Sequence, residues 1–126
     1  GGHSVSFVGN VHEGPHALNG RNTTLMRPGM IVTDEPGVYE TDLVGIRIEN
    51  ELVCVHKADN QYGTFLGFEP IMFVPIATSP IVPGVLTKDE LDWLNNYHRQ
   101  VFEKLAPRLN DEEREWLAKK CAAIGC

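Results

Sequence analysis

Cysteine is scarce in this 126-residue sequence: Cys54, Cys121 and Cys126 are an odd number, with no Cys-x-x-Cys pair among them. That excludes a disulfide framework or a cysteine-rich structural metal site, and free thiols in a reducing, cytoplasmic setting are expected. No apolar run approaches the ~20 residues needed to span a bilayer, so no membrane partner is expected. Basic residues are few: 11 Lys/Arg face 17 Asp/Glu, a formal net charge of -6. Binding to a phosphate backbone needs a basic surface, so nucleic acid is excluded as a partner. There is no G-x-S-x-G elbow, and the cysteines lack a glycine-rich activating context, which sets nucleophilic acyl transfer aside. No repeat, low-complexity tract or signal peptide is visible. A chain that starts Gly-Gly without Met is expected to have lost its native N-terminus.

What remains has the composition of an ordinary globular protein, 42% hydrophobic and 22% charged, long enough for a real core. The charge is uneven. Residues 1–86 hold four Lys/Arg and nine Asp/Glu, net -5, whereas 87–126 hold seven and eight, net -1. The acidic excess shares its segment with His3, His12, Glu35 and Glu49. One imidazole and two carboxylates offer the nitrogen and oxygen donors that suit Mn²⁺, Co²⁺ or Zn²⁺. A second histidine is then free for proton or substrate contacts. Arg47, two residues before Glu49 and on the same strand face, is placed to support it. By residue type alone, a solvated acidic surface with an ordinary ion pair fits these residues as well.

The local patterns divide the chain into strands followed by helices, an α+β order. Short strands are expected at Ser4–Val8 and Met30–Thr33, with a turn at Asn10–Pro15 and an exposed loop over 16–27. Pro36 steers Glu35 out of helical dihedrals and so places that carboxylate at a strand end. Ile46–Val55 reads as the strongest strand, with Ile46, Ile48, Leu52 and Cys54 on one face and Arg47, Glu49 and Glu51 on the other. Phe68–Ile76 reads as a strand limited by Pro70 and Pro75. A proline-rich boundary at 78–84 precedes Thr87-Lys88-Asp89-Glu90, a capping box that opens a helix with Leu91, Leu94, His98, Val101 and Leu105 on its buried stripe. Pro107 closes it, and Asn110 caps a second helix with Trp116, Leu117, the Lys120 stem, Cys121 and Ile124 inward. His98 is expected to be packed rather than ligating, and His16 and His56 to lie on the surface.

Five motifs occur in order: Asn10-Val11-His12-Glu13-Gly14-Pro15, Gly29–Tyr39 with Thr33-Asp34-Glu35-Pro36-Gly37 at its centre, Gly45-Ile46-Arg47-Ile48-Glu49-Asn50, Phe68-Glu69-Pro70, and Asp92-Trp93-Leu94-Asn95-Asn96-Tyr97-His98. Together they resemble the C-terminal part of the M24 "pita-bread" metallopeptidases of the Xaa-Pro aminopeptidase type, over nearly the whole chain. Asp92–His98 resembles the longer, eukaryotic-type branch. The resemblance implies the C-terminal half of a pita-bread fold: a curved, mostly antiparallel sheet followed by a helical hairpin. Residues 1–80 would be an incomplete catalytic domain and 81–126 a C-terminal helical extension.

By position, the resemblance makes His3, Glu35 and Glu49 metal ligands, with Glu49 bridging two cations and Glu35 also shuttling a proton. His12 becomes a substrate contact near the scissile bond, and Arg47 a support of the ligand shell. The implied activity removes an N-terminal residue that precedes proline, using two divalent ions (Mn²⁺, with Zn²⁺ or Co²⁺ as alternatives) to activate water and clamp the carbonyl. Two departures stand out. Such families carry Gly-His-Gly-x-Gly around this histidine, whereas here Ser4 and Ser6 replace glycines, and their Cβ atoms are expected to crowd His3 or the cleft. The resemblance also implies two aspartate ligands upstream of His3, and Asp34, Asp42 and Asp59 fall at other motif positions. Three ligands of five are present, so the chain alone is expected to be inactive and its site incomplete. An open half-sheet favours a homo-oligomer. The alternatives are a non-catalytic peptide- or protein-binding module on the same fold, and another M24 hydrolase such as a prolidase.

Overall fold

The computed structural model describes residues 1–125, so the Cys126 thiol lies outside the described residues. Two compact units follow one another along the chain, Gly1–Met72 and the segment from Phe73 onward. The order is α+β: β1 (Gly2–Ser4), β2 (Glu13–Leu18), β3 (Ile31–Asp34), β4 (Gly37–Glu40), β5 (Val44–Arg47), β6 (Asn50–Asn60) and β7 (Gly63–Pro70), then α1 (Lys88–Leu105), a 3-10 turn (Ala106–Arg108) and α2 (Asp111–Lys120). All strand pairs are antiparallel, in three ladders: β1–β2, β3–β6–β7 and β4–β5.

In the first unit the core is small and centred on Val32 and Cys54, 0% and 1% exposed. The strand expected over Ser4–Val8 is shifted to Gly2–Ser4. Beyond it the Ser6 hydroxyl accepts from the Gly9 N–H at 2.7 Å, and the Ser6 N–H donates to Asn10 O at 3.3 Å. A serine that bonds its own loop diverts the backbone from a ladder. Part of the expected turn and loop is instead β2, because Leu18 and Ala17 pair with Gly2 and His3. β1 also runs beside β3: the Glu35 N–H donates to Gly1 O at 2.9 Å. Gly2 permits this approach, since a Cβ there would run into Thr33 O.

The long strand expected from Ile46 is two strands, interrupted at Ile48 and Glu49. The cause lies opposite. Pro36 has no N–H to offer, so the ladder breaks there and only Ile48 N bonds back, to Pro36 O at 3.3 Å. Ile46 and Ile48 are exposed, 51% and 53%, whereas Cys54 on the same expected face is buried.

In the second unit both capping boxes form: Thr87 with Glu90 and Asn110 with Glu113. Leu91, Leu94, Tyr97, His98 and Val101 make the buried face of α1. Tyr97, Val101 and Leu117 form the centre of this core, with Phe73, Ile76, Phe102, Leu105, Leu109 and Cys121 around it. Trp116, expected inside, is 57% exposed, with Lys120 Nζ 5.7 Å from its ring centre. On so short a helix Leu117 alone reaches the core fully. The strand expected over Phe68–Ile76 ends at Pro70. Residues 73–76 are irregular, and the side chains of α1 satisfy their backbone: Tyr97 Oη donates to Val74 O at 2.8 Å, and the Ile76 N–H donates to His98 Nε2 at 3.1 Å.

Candidate metal centre

Register explains how the carboxylates meet. Asp34 pairs with Asn50 in one ladder and Gly37 with Arg47 in the next. These pairs follow one common antiparallel register, so Glu35 and Glu49 face each other across the gap at Pro36. His3 arrives on β1, whose backbone is fixed to β3 by the His3 N–H, which donates to Thr33 Oγ1 at 3.0 Å. Ligand atoms of His3, Glu35 and Glu49 all lie within 4.8 Å of one another. His12 stands beside them, its ring 4.1 Å from that of His3, centre to centre.

Glu35 is the most constrained member, its side chain 15% exposed. Oε1 lies 2.9 Å from His3 Nε2 and accepts from the Thr33 hydroxyl at 2.9 Å. Oε2 lies 3.2 Å from Arg47 Nη1. The Thr33 hydrogen bond, with the positive potential of His3, Arg47 and His12 behind it, holds the Glu35 carboxyl below its ordinary range despite partial burial. Arg47 therefore contacts Glu35, where sequence spacing pointed to Glu49. Its other side is held by Tyr39: Nε donates to Tyr39 Oη at 2.8 Å, and the guanidinium lies 5.8 Å from the ring centre. The Tyr39 ring in turn lies close over Gly37 and Gly45, where added Cβ atoms would come within 2.9 Å and 3.1 Å of its ring carbons.

The donors fit a divalent cation. His3 Nδ1 is 3.0 Å from Ser4 O, a pure acceptor, so Nδ1 carries a hydrogen, and Nε2, 2.9 Å from Glu35 Oε1, is the nitrogen that faces the carboxylates and would take a cation in place of a proton. One imidazole nitrogen and two hard carboxylates within a few ångströms suit Mn²⁺, Zn²⁺ or Co²⁺. Of the serines that replace glycines here, Ser4 is buried and its hydroxyl donates to Glu13 O beside His3.

All five residues singled out from sequence thus lie in one cluster. Thr33 and Tyr39 belong to it as well, and the sequence carries a signal for each: Thr33 stands two residues before Glu35, on the same strand face, and Tyr39 lies between Gly37 and Gly45 of the hairpin. Of the other histidines, His56 is exposed and paired with Asp59 at 2.9 Å, as expected. His98 is fully buried. His16, expected on the surface, is half-buried, and its Nε2 donates to Ile31 O at 2.7 Å, because β2 folds against the start of β3.

Comparison with known proteins agrees with this geometry. Metallopeptidase family M24 matches residues 1–56, and the C-terminal region of peptidase M24 matches residues 64–124. Aminopeptidase P2 of Arabidopsis thaliana is 46% identical over 92% of this chain and 17% of its own length. A probable Xaa-Pro aminopeptidase P of Coprinopsis cinerea is 40% identical over 98% of this chain and 21% of its own. The crystal structure of X-prolyl aminopeptidase from Caenorhabditis elegans, described as a cytosolic enzyme with a dinuclear active site, superposes with a TM-score of 0.82 at 37% identity, over 98% of this chain and 21% of that one. The chain therefore spans about a fifth of the length of these relatives. Matched along both of its units and in its fold, the chain is a C-terminal part of a pita-bread protein and belongs to the M24 metallopeptidase family.

Proposed function

We propose that the natural polypeptide carrying this chain is a metal-dependent Xaa-Pro aminopeptidase, which releases an N-terminal residue preceding proline. The observation that carries this reading is the convergence of His3, Glu35 and Glu49 to within 4.8 Å. A non-catalytic binding module has no need of such a donor set. His3, Glu35 and Glu49 would hold two divalent ions, Mn²⁺ in our reading, with Zn²⁺ or Co²⁺ as alternatives. When bound, these ions supply Lewis-acid polarisation of the scissile carbonyl and make water acidic enough to attack at neutral pH.

The remaining chemistry belongs to side chains. Glu35, held ionised by Thr33 and Arg47, accepts a proton at its carboxylate from the attacking water and delivers it to the leaving imino nitrogen of proline. Glu49, opposite, would supply a second carboxylate to hold the cations. The exposed imidazole of His12, tilted against the His3 ring, donates a hydrogen bond to the substrate carbonyl as charge develops there. Arg47 keeps Glu35 in one rotamer and adds no bond to the substrate.

In this reading residues 1–80 serve the catalytic domain and 81–126 form a helical extension. Three donors hold cations weakly, so the isolated 126-residue chain does not turn over. Its partners are proline-containing peptides and a second copy of the same polypeptide, with no role for nucleic acid or membrane. No helix among the described residues is long and apolar enough to cross a membrane. We place it in the cytoplasm, a reading supported by the free Cys54 and Cys121 thiols and by the cytosolic Caenorhabditis elegans relative.

The test is hydrolysis of an Arg-Pro-Pro peptide with Mn²⁺ by the longest natural polypeptide carrying this chain. Release of arginine that is abolished by Glu35→Gln supports the reading. Tight peptide binding without cleavage would replace it with the binding module.

A further inference from the structure

We infer that Thr33 positions the cation site: its hydroxyl ties the backbone of the His3 strand to the Glu35 carboxylate and so sets the spacing of two donors at once. This rests on the metal reading above and adds a residue to it. Thr33 lies on β3, 2% exposed and two positions before Glu35. The direction of its bonds is unambiguous. The His3 N–H can only donate, so Thr33 Oγ1 accepts it at 3.0 Å. The single hydroxyl hydrogen is then available for Glu35 Oε1, 2.9 Å away. That same Oε1 lies 2.9 Å from His3 Nε2. One hydroxyl thus fixes the main chain that carries the imidazole and the carboxylate oxygen nearest to it.

The residue type suits the task. A β-branched side chain is stiff at χ1 in a strand, so the hydroxyl is aimed before any cation arrives. Valine has the same shape but can neither accept from His3 N–H nor donate to Glu35, and it leaves a buried donor unpaired. Serine keeps both bonds. Residues that orient ligands in this way typically contribute 10–100-fold to metal affinity, by fixing the ligand geometry beforehand.

The experiment is a Mn²⁺ titration of the longest natural polypeptide carrying this chain, followed by the electron paramagnetic resonance signal of free Mn²⁺. Wild type is compared with Thr33→Val, Thr33→Ser and Glu35→Gln, each shown by circular dichroism to be below its unfolding midpoint. Thr33→Val is expected to bind Mn²⁺ about 10–100-fold more weakly, with Thr33→Ser rescuing the affinity. If Thr33→Val does not fold, Thr33→Ala measured at low temperature takes its place. A threonine that merely stabilises the fold would lower the unfolding midpoint and leave the affinity unchanged. Wild-type affinity in Thr33→Val, with loss in Glu35→Gln, would overturn the role of Thr33 and leave the metal site standing. Equal binding by wild type and Glu35→Gln would overturn the metal site and this inference with it.

Discussion

Glu35 and Glu49 face each other across a single antiparallel register that is interrupted where Pro36 withholds a backbone donor. The interruption is part of the site. A continuous ladder would pleat both carboxylates into a regular sheet face. The gap lets Glu35 take up His3, Thr33 and Arg47 together.

Arg47 serves Glu35 with one nitrogen and Tyr39 with another, a fork that lysine cannot reproduce. Arg47→Lys is expected to lower kcat/KM of the natural polypeptide on an Xaa-Pro peptide by about 10–100-fold, the usual cost of losing a residue that orients a ligand. Circular dichroism should show an unchanged fold. Unaltered kinetics would mean that the Tyr39–Arg47–Glu35 chain does not orient the carboxylate.

Gly2 sits where β1 meets β3, and a methyl group there would run into backbone, which cannot move aside as a side chain can. Gly2→Ala is expected to destabilise the first unit by about 1–3 kcal/mol in urea unfolding. It should also weaken Mn²⁺ binding, because His3 is displaced with its strand.

The helices are opened by two complete capping boxes, at Thr87 and Asn110. Thr87→Ala and Asn110→Ala should each cost about 1 kcal/mol in urea unfolding. The double variant should show their sum, since the caps start different helices and share no partner. A sum well below that value would show that one helix frays in the native state.

His98 gives the helical unit a dependence on pH. Burial pushes its pKa down from the ordinary histidine value, and only an unprotonated Nε2 can accept the Ile76 N–H. Its titratable neighbour is Tyr97, 5.9 Å away between ring centres, whose hydroxyl is bonded to Val74 O. The unfolded chain therefore binds a proton more readily than the folded one. The contribution is complete above the unfolded value of about 6.5 and is lost as pH falls through the lower folded value. Thermal midpoints between pH 7.5 and 5 should fall more steeply for wild type than for His98→Asn, which keeps an acceptor but does not titrate. Parallel profiles would remove His98 from the account.

Much of this was legible in the sequence, for identifiable reasons. Capping boxes are local, so Thr87 and Asn110 marked both helix starts. Pro36 restricts its neighbour directly, so Glu35 was placed correctly at a strand end. Strand limits set by distant partners were harder to read. β2 forms because β1 is there to pair with it, and nothing between Glu13 and Leu18 announces that partner. The break at Glu49 originates in Pro36, thirteen positions earlier. The contact of Arg47 with Glu35 instead of Glu49 follows from cross-strand register, which spacing along one strand does not carry. The role of Thr33 is not legible in the sequence from its spacing alone, because a threonine in a β-branched run has the pattern of ordinary strand filling.

The central claim is that Glu49 and Glu35, opposite one another, hold two cations together with His3. It is tested most directly by counting Mn²⁺ bound to the longest natural polypeptide carrying this chain, by isothermal titration of wild type and Glu49→Gln. Two ions per polypeptide in the wild type, and a loss of at least one in Glu49→Gln with the fold intact, is the predicted result. Identical stoichiometry and affinity in the two proteins would contradict it.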